Sequence, residues 1–414
     1  VKKYLLIILI LLFLFLGCGV STTKYELQII SPTFSATQIP LKVPINLPED
    51  LSNQDLSELD IRIKAENEGE FPGQILKDSD GKFNLHFVIP SLQEGVTQSL
   101  AVLVQQNKST QPSFQLDDKE TKYLDFLFAG RKICRYMYEY DVSTPERMEA
   151  TNKPFFHLFD LSGRYVITNG SGGLYPHHRG LFIGWQRIEC GEEVFNFWSM
   201  EDGAHQKHIV FVENIAGPVL AILSAEINWS DKNSTIILKE LRRVTLYKQP
   251  APTVLLMKFE STISPPACDI NLLGNAEHAG FQFRAHNDVA EGYVQGVHDA
   301  ISGNQPKVSY FFPKENIDLT KEVDLPWTAL SYILKGKKYN IQHINTPENP
   351  KNTMYSAYRD YGRFGAAFNT SLKRGESLHM TYYIWAVEGE TPVIAEFNAK
   401  YAGLTTNLNI NFVQ

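Results

Sequence analysis

The chain has 414 residues, a formal net charge of −7, and 43% hydrophobic, 12% aromatic and 21% charged residues. This acidic balance excludes the basic face that nucleic-acid binding requires, so nucleic acid is not an expected partner. An aromatic-rich, sparsely charged composition also excludes a disordered chain and describes a packed globular protein.

In chain order, Lys2 and Lys3 precede an apolar run from Leu5 to Leu16, and Gly17-Cys18-Gly19 follows. A basic start, a short apolar core and a small residue before a cysteine predict a lipoprotein signal over 1–17, with Cys18 as the acylated lipid anchor. The run falls short of the roughly 20 residues that span a bilayer. Membrane contact is therefore expected only through the anchor, on an outer-membrane lipoprotein facing the periplasm or the cell surface. Cys134, Cys190 and Cys268 are an odd set without metal-type spacing. They predict buried thiols, with at most one pair, rather than a disulfide framework.

Residues 18–112 show short alternating segments at Tyr25–Ile30, Asp60–Ala65, Phe83–Ile89 and Ser99–Val104, and Asp78-Ser79-Asp80-Gly81 reads as a hairpin turn. They predict a small immunoglobulin-like β-sandwich serving as a spacer or binding module, ended by the polar linker Asn107–Ser113. Residues 113–414 again read as strands, among them Tyr123–Phe128, Thr253–Ser261, His379–Ala386 and Leu408–Val413. The expected fold is all-β, the N-terminal sandwich being followed by a large antiparallel β-sandwich domain that carries the chemistry.

Two elements concentrate reactive groups. Tyr175-Pro176-His177-His178-Arg179 sets a phenol, two imidazoles and a guanidinium side by side. On a strand, Tyr175, His177 and Arg179 would share one face and His178 would oppose them. His278, Gln282, Arg284 and His286 are separated by even numbers, so an uninterrupted strand would present all four together. A third run, Tyr355–Arg363, offers Arg359 and Arg363 among phenols; Arg359 with Asp360 could equally form an ion pair. Guanidinium groups recognise carboxylate or sulfate through paired hydrogen bonds, which suits an acidic sugar. Trp185, Trp198 and Trp327 are candidates for stacking on sugar rings. His205 and His208, at i and i+3, could ligate a divalent metal on a helical turn or equally lie in a loop. Adjacent His177 and His178 would point apart on a strand, so no cofactor is expected although a divalent metal stays open. Glu192, Glu193, Glu201 and Asp202 supply carboxylates without a distinctive pairing.

The second domain resembles a bacterial family of unknown function that carries the label "methane oxygenase PmoA". The match runs through Lys153-Pro154-Phe155-Phe156, Pro176–Phe182, Asn196-Phe197-Trp198, Gly280–Arg284, Pro347–Pro350, Arg359–Gly362 and Gly375–Leu378, covering roughly residues 115–405. The family usually shows Asp-His before that proline, where this chain has Leu174 and Tyr175. The oxygenase label does not fit a chain without a spanning helix after its signal. The resemblance implies instead a carbohydrate-processing lipoprotein of polysaccharide degradation.

A glycosidase needs two placed carboxylates, whereas this palette is rich in His, Tyr and Arg. It predicts a lyase or dehydratase that performs β-elimination on oligosaccharides containing uronic acid and leaves a 4,5-unsaturated uronate. Arg179 and Arg284 would hold the carboxylate, with Trp185, Trp198, His286 and Arg359 also on substrate. His177 and Tyr175 would exchange protons, with His178 and His278 assisting. A phenol acts as base near neutrality only beside a cation, which Arg179 would supply. The alternatives are a glycoside hydrolase or sugar epimerase using Glu201 or Asp202, and a non-catalytic glycan-binding lipoprotein.

Overall fold

The computed structural model of the protein describes residues 22–66, 68–107, 109–289 and 308–413. The signal segment and Cys18 lie outside the described residues. The fold is nearly all β, in antiparallel sheets. No helix among the described residues is long and apolar enough to cross a membrane.

The N-terminal unit forms from Thr22–Ile29, Ala36–Pro44, Leu59–Ala65, Gly69–Lys77, Phe83–Leu92 and Gln98–Gln106 around a Leu/Ile/Val core. The alternating burial of Gln98–Gln106 and Ala36–Pro44 is the signature of strands with one wet face. Gly69–Lys77 pairs with Leu59–Ala65 through Pro72 and with Phe83–Leu92 from Gly73 onward. At that crossing a Cβ on Gly73 would overlap Ile61, so only glycine lets the strand change partners there. The hairpin turn at Asp78 forms as expected: its carboxylate accepts from the Asp80 and Lys82 amides, and Gly81 has φ +81°. The last strand, Ile410–Val413, returns to pair with Thr22–Ile29, and helix Ile394–Thr405 packs on Ala36–Pro44. Lys400 of that helix donates to Thr37 O, which fastens the helix to the N-terminal sheet.

The larger unit is a sandwich of two eight-stranded sheets and a four-stranded flap. One large sheet runs, in spatial order, Met354–Tyr355, Arg363–Ala367, Ala279–Arg284, Leu181–Trp185, Phe155–Leu158, Arg131–Met137, Tyr123–Phe128 and Phe114–Lys119. The other runs from His205–Ala216 at one edge to Val308–Phe311 at the opposite edge. Their inner faces share one core, in which the Phe259 and Phe281 rings stack at 4.1 Å and Phe281 meets Tyr382 at 5.1 Å. Strands Leu181–Trp185 and Ala279–Arg284 are buried on both faces. The outer face of this sheet is therefore covered too, and its cover is the candidate site.

Two sequence expectations change. Cys190 and Cys268 form a disulfide rather than remaining thiols, because antiparallel pairing of Arg187–Cys190 with Ile270–Leu273 brings their Cα atoms within 5.8 Å. Cys134 alone is a free thiol among the described residues, and it is buried. His205 and His208 lie on a strand rather than a helical turn, bonded to Gly203 O and close to Tyr136. No metal-type group of His, Cys, Asp and Glu occurs among the described residues.

Candidate functional site

Alternation along the sheet sorts the residues. Leu181 and Ile183, Phe281 and Phe283, Phe364 and Ala366 face the inner core. Phe182, Gln282, Arg284, Arg363 and Gly365 take the outer face. The antiparallel register sets Gln282 opposite Gly365 and Arg284 directly opposite Arg363. Both arginines are at most 1% exposed. Gly280, at φ +77°, kinks the same strand where a Cβ would overlap Ala366 O.

The Tyr175–Arg179 element is a turn, not a strand. Tyr175 has φ +56°, His178 N donates to Tyr175 O at 2.9 Å, and the strand begins only at Leu181. Gly172-Gly173 before it and Pro176 within it are the sequence signals for this turn. The expected facing pattern is therefore overturned. The two histidine rings touch at 4.2 Å, and Tyr175 lies 5.4 Å from His178. Asn169 Nδ2 donates to His178 O and Asn169 O accepts from Gly180 N, which pins the turn to the sheet.

Arg179 is also corrected. Its guanidinium is buried beneath the turn and donates to Glu149 O, Lys153 O and Asn152 Oδ1, while Nε donates to Pro176 O. It ties the C-terminal end of helix Pro145–Thr151 to the sheet and does not face substrate. Trp185 is likewise a core residue, bonded to Phe368 O and fully buried. Trp327 packs on Phe397 and donates to Asn398. Neither can stack on a sugar.

The remaining groups converge. His178 is ringed by Tyr175, His177, Tyr361, Phe182 and Trp198, all within 6.3 Å between centroids. Trp198 meets His278 at 6.0 Å and lies under the Arg363 guanidinium at 5.6 Å. Arg284 stacks on Tyr361 at 4.8 Å. His278 and His286 flank strand Ala279–Arg284 rather than sitting within it. His278 contacts Asn275, and His286 lies 3.3 Å from the Asp288 carboxylate. The ion-pair partner of Arg359 is Glu277, at 2.5 Å, rather than Asp360.

Sequence reasoning placed Tyr361 and Arg363 in a candidate run without joining them to Arg284, and it missed Lys153. Tyr361 lies between Tyr175, 5.1 Å away between centroids, and the Arg284 guanidinium. Arg363 donates to Gln282 Oε1 and Ser356 Oγ. Lys153 is buried beneath Trp198, donating to its carbonyl and lying 4.7 Å over the Phe182 ring. Their signal was cross-strand register, which no single segment displays. Glu201 and Asp202, by contrast, are exposed, and Glu201 is engaged by Ser199. Glu192 and Glu193 sit on an exposed hairpin.

The electrostatics are one-sided. Burial, then Lys153 and other cations nearby, pushes the His177 imidazole down to about 3. Burial and Arg363 hold His178 well below the usual range as well, so both rings are neutral near pH 7. Burial lowers Lys153 far below an ordinary amine and Arg284 to about 10. Of the site's arginines, only Arg359 is paired with a carboxylate among the described residues. Arg284 Nε and Nη2, both His178 ring nitrogens and Trp198 Nε1 are buried without a hydrogen-bond partner among the described residues. Buried donors of this kind are ordinarily satisfied, and here they surround one place.

A profile of a family of unknown function, DUF6807, matches residues 123–402. The chain belongs to that family. Every site residue named above lies inside the matched span, and the N-terminal sheet, apart from the returning strand Ile410–Val413, precedes it. Comparison with curated proteins yields no match. The family description carries no activity, so function rests on the geometry.

Proposed function

We propose that the protein is a carbohydrate-active lyase or dehydratase acting by β-elimination on oligosaccharides that contain uronic acid. The observation that supports it is the buried pair Arg284 and Arg363, register partners on adjacent strands with no carboxylate between them among the described residues. Like charges set directly opposite destabilise a sheet, and a desolvated guanidinium without a counter-ion is costly. A bound carboxylate relieves both penalties and satisfies the idle Nε and Nη2 donors of Arg284 in the paired geometry that guanidinium favours.

The chemistry follows from the neighbours. With its carboxylate held by Arg284 and Arg363, the sugar's C5 proton becomes more acidic, and the developing enolate-like charge is neutralised in place. Neutral His177 takes that proton, and bound anionic charge makes the imidazole a stronger base than in the empty site. The C5–H electron pair forms the C4=C5 double bond, and the C4–O bond breaks. Tyr175 gives its proton to the departing oxygen. His278 and His178 line the same space, and Trp198 closes it. Arg179 has no part in this scheme except to hold the turn that carries His177. Acylation at Cys18 would place the enzyme at the cell envelope, in polysaccharide degradation.

The test is incubation of the purified protein, and of His177→Ala and Arg363→Met variants, with uronate oligosaccharides followed by mass spectrometry. Loss of one water mass or splitting into unsaturated fragments, absent in both variants, is expected. New reducing ends without unsaturation would mean a hydrolase. Binding without turnover would mean a glycan-binding protein.

A further inference from the structure

Beside the arginine pair the fold leaves a cleft of about 750 Å³, within the usual size of small-ligand sites. Its walls include Phe312, Ile317, Leu319, Val323, Met354 and Tyr358. Several of these are half-buried or exposed, with Val323 and Tyr358 at 43% and 44% exposure. The cleft adjoins the site at two residues. Glu277 and Tyr358 line it, Tyr358 donates to Glu277 Oε1, and Glu277 Oε2 pairs with Arg359. The charges of Arg359, His278 and Arg363 also reach the Glu277 carboxyl, behind the Tyr358 hydrogen bond in their effect on it.

The cleft offers no spare cation to a second carboxylate. Its lining includes Glu277, Asp318 and Glu322 and, among the described residues, no Lys, Arg or His. The nearby cations are committed: Lys314 to Glu322, Lys321 to Asp318, and Arg359 to Glu277. A second acidic sugar placed there would meet three carboxylates already paired and, among the described residues, no uncommitted cation. An uncharged unit with an apolar face would instead cover the exposed apolar side chains.

We infer that the unit joined to the acidic sugar is uncharged, presents an apolar face, and is received by this cleft, so the protein selects mixed glycans over runs of uronate. The inference rests on the reading that Arg284 and Arg363 hold a uronate. Isothermal titration with glucuronic acid, phenyl glucuronide, 4-O-benzyl glucuronic acid and a glucuronic acid disaccharide tests it. At least one aryl derivative should bind about tenfold more tightly than the free acid. The disaccharide should gain nothing. Leu319→Asp and Val323→Asp should each abolish the aryl gain and leave the free-acid Kd unchanged, whereas Arg363→Met should weaken every ligand. Equal binding of aryl and free acids, or a gain for the disaccharide, overturns the cleft assignment and leaves the uronate reading standing. Absence of binding by all four acids overturns the uronate reading and the cleft assignment together.

Discussion

Arg179 and Arg284 are both buried arginines in motif-like segments, yet the proposed scheme gives them opposite jobs, and paired Met substitutions separate them. Arg179 satisfies four acceptors, at Glu149, Asn152, Lys153 and Pro176. Arg284 satisfies two, at Tyr361 and Ala285, and leaves two of its nitrogens idle. Each stranded acceptor costs roughly 1–3 kcal/mol. Burial pushes each guanidinium down to about 10 from 12.5. Removing a desolvated charge of that kind returns on the order of 3 kcal/mol. Arg179→Met should therefore lose about 3 kcal/mol of stability, while Arg284→Met should stay within about 1 kcal/mol of the parent. Urea denaturation followed by tryptophan fluorescence measures both. Glucuronate titration of the folded variants should then show binding lost in Arg284→Met and retained in Arg179→Met. Equal destabilisation, or loss of uronate affinity in a fully stable Arg179→Met protein, would refute the division of roles.

Buried histidines should make the protein acid-sensitive. Burial lowers His157 to about 3 and His343 to about 4 from 6.5, so between those values the unfolded chain binds more protons and stability rises with pH. Each group's contribution is complete above 6.5 and falls by about 1.4 kcal/mol per unit as pH drops toward its folded value. Denaturation midpoints at a series of pH values should show this, with a shallower slope in His343→Asn. Reducing the Cys190–Cys268 bond, which closes a 78-residue separation, should cost about 4 kcal/mol in the chain-entropy account, measured by denaturation with and without reductant.

Much of the fold was legible because its signals are local. Alternation marked Ser99–Val104 within the strand Gln98–Gln106, the Asp-Ser-Asp-Gly turn marked a hairpin, and Val/Ile/Tyr/Phe runs marked Tyr123–Phe128 and Thr253–Ser261 of the strand Thr253–Ser264. Helix Ile394–Thr405 was not marked, because the face it buries carries Phe397, Lys400 and Gly403 rather than an apolar stripe. In the site, types were legible and directions were not. A positive φ at Tyr175 reverses the facing that alternation assigns to His177 and His178. Arg179 pointed inward because a helix end lay beneath it, a fact held by residues 145–153 and invisible in its own segment. Arg363 joined Arg284 only through strand pairing, and the Cys190–Cys268 bond only through the register of the flap.

The central claim is that Arg284 and Arg363 bind a uronate carboxylate beside a neutral His177 that removes a proton. Mass spectrometry of acidic oligosaccharides incubated with the parent protein and with Arg363→Met tests it most directly. The account predicts loss of water or unsaturated fragments with the parent and unchanged substrate with the variant. Identical unsaturated products from both proteins would contradict the role of the arginine pair, and unchanged substrate with the parent would contradict the lyase itself.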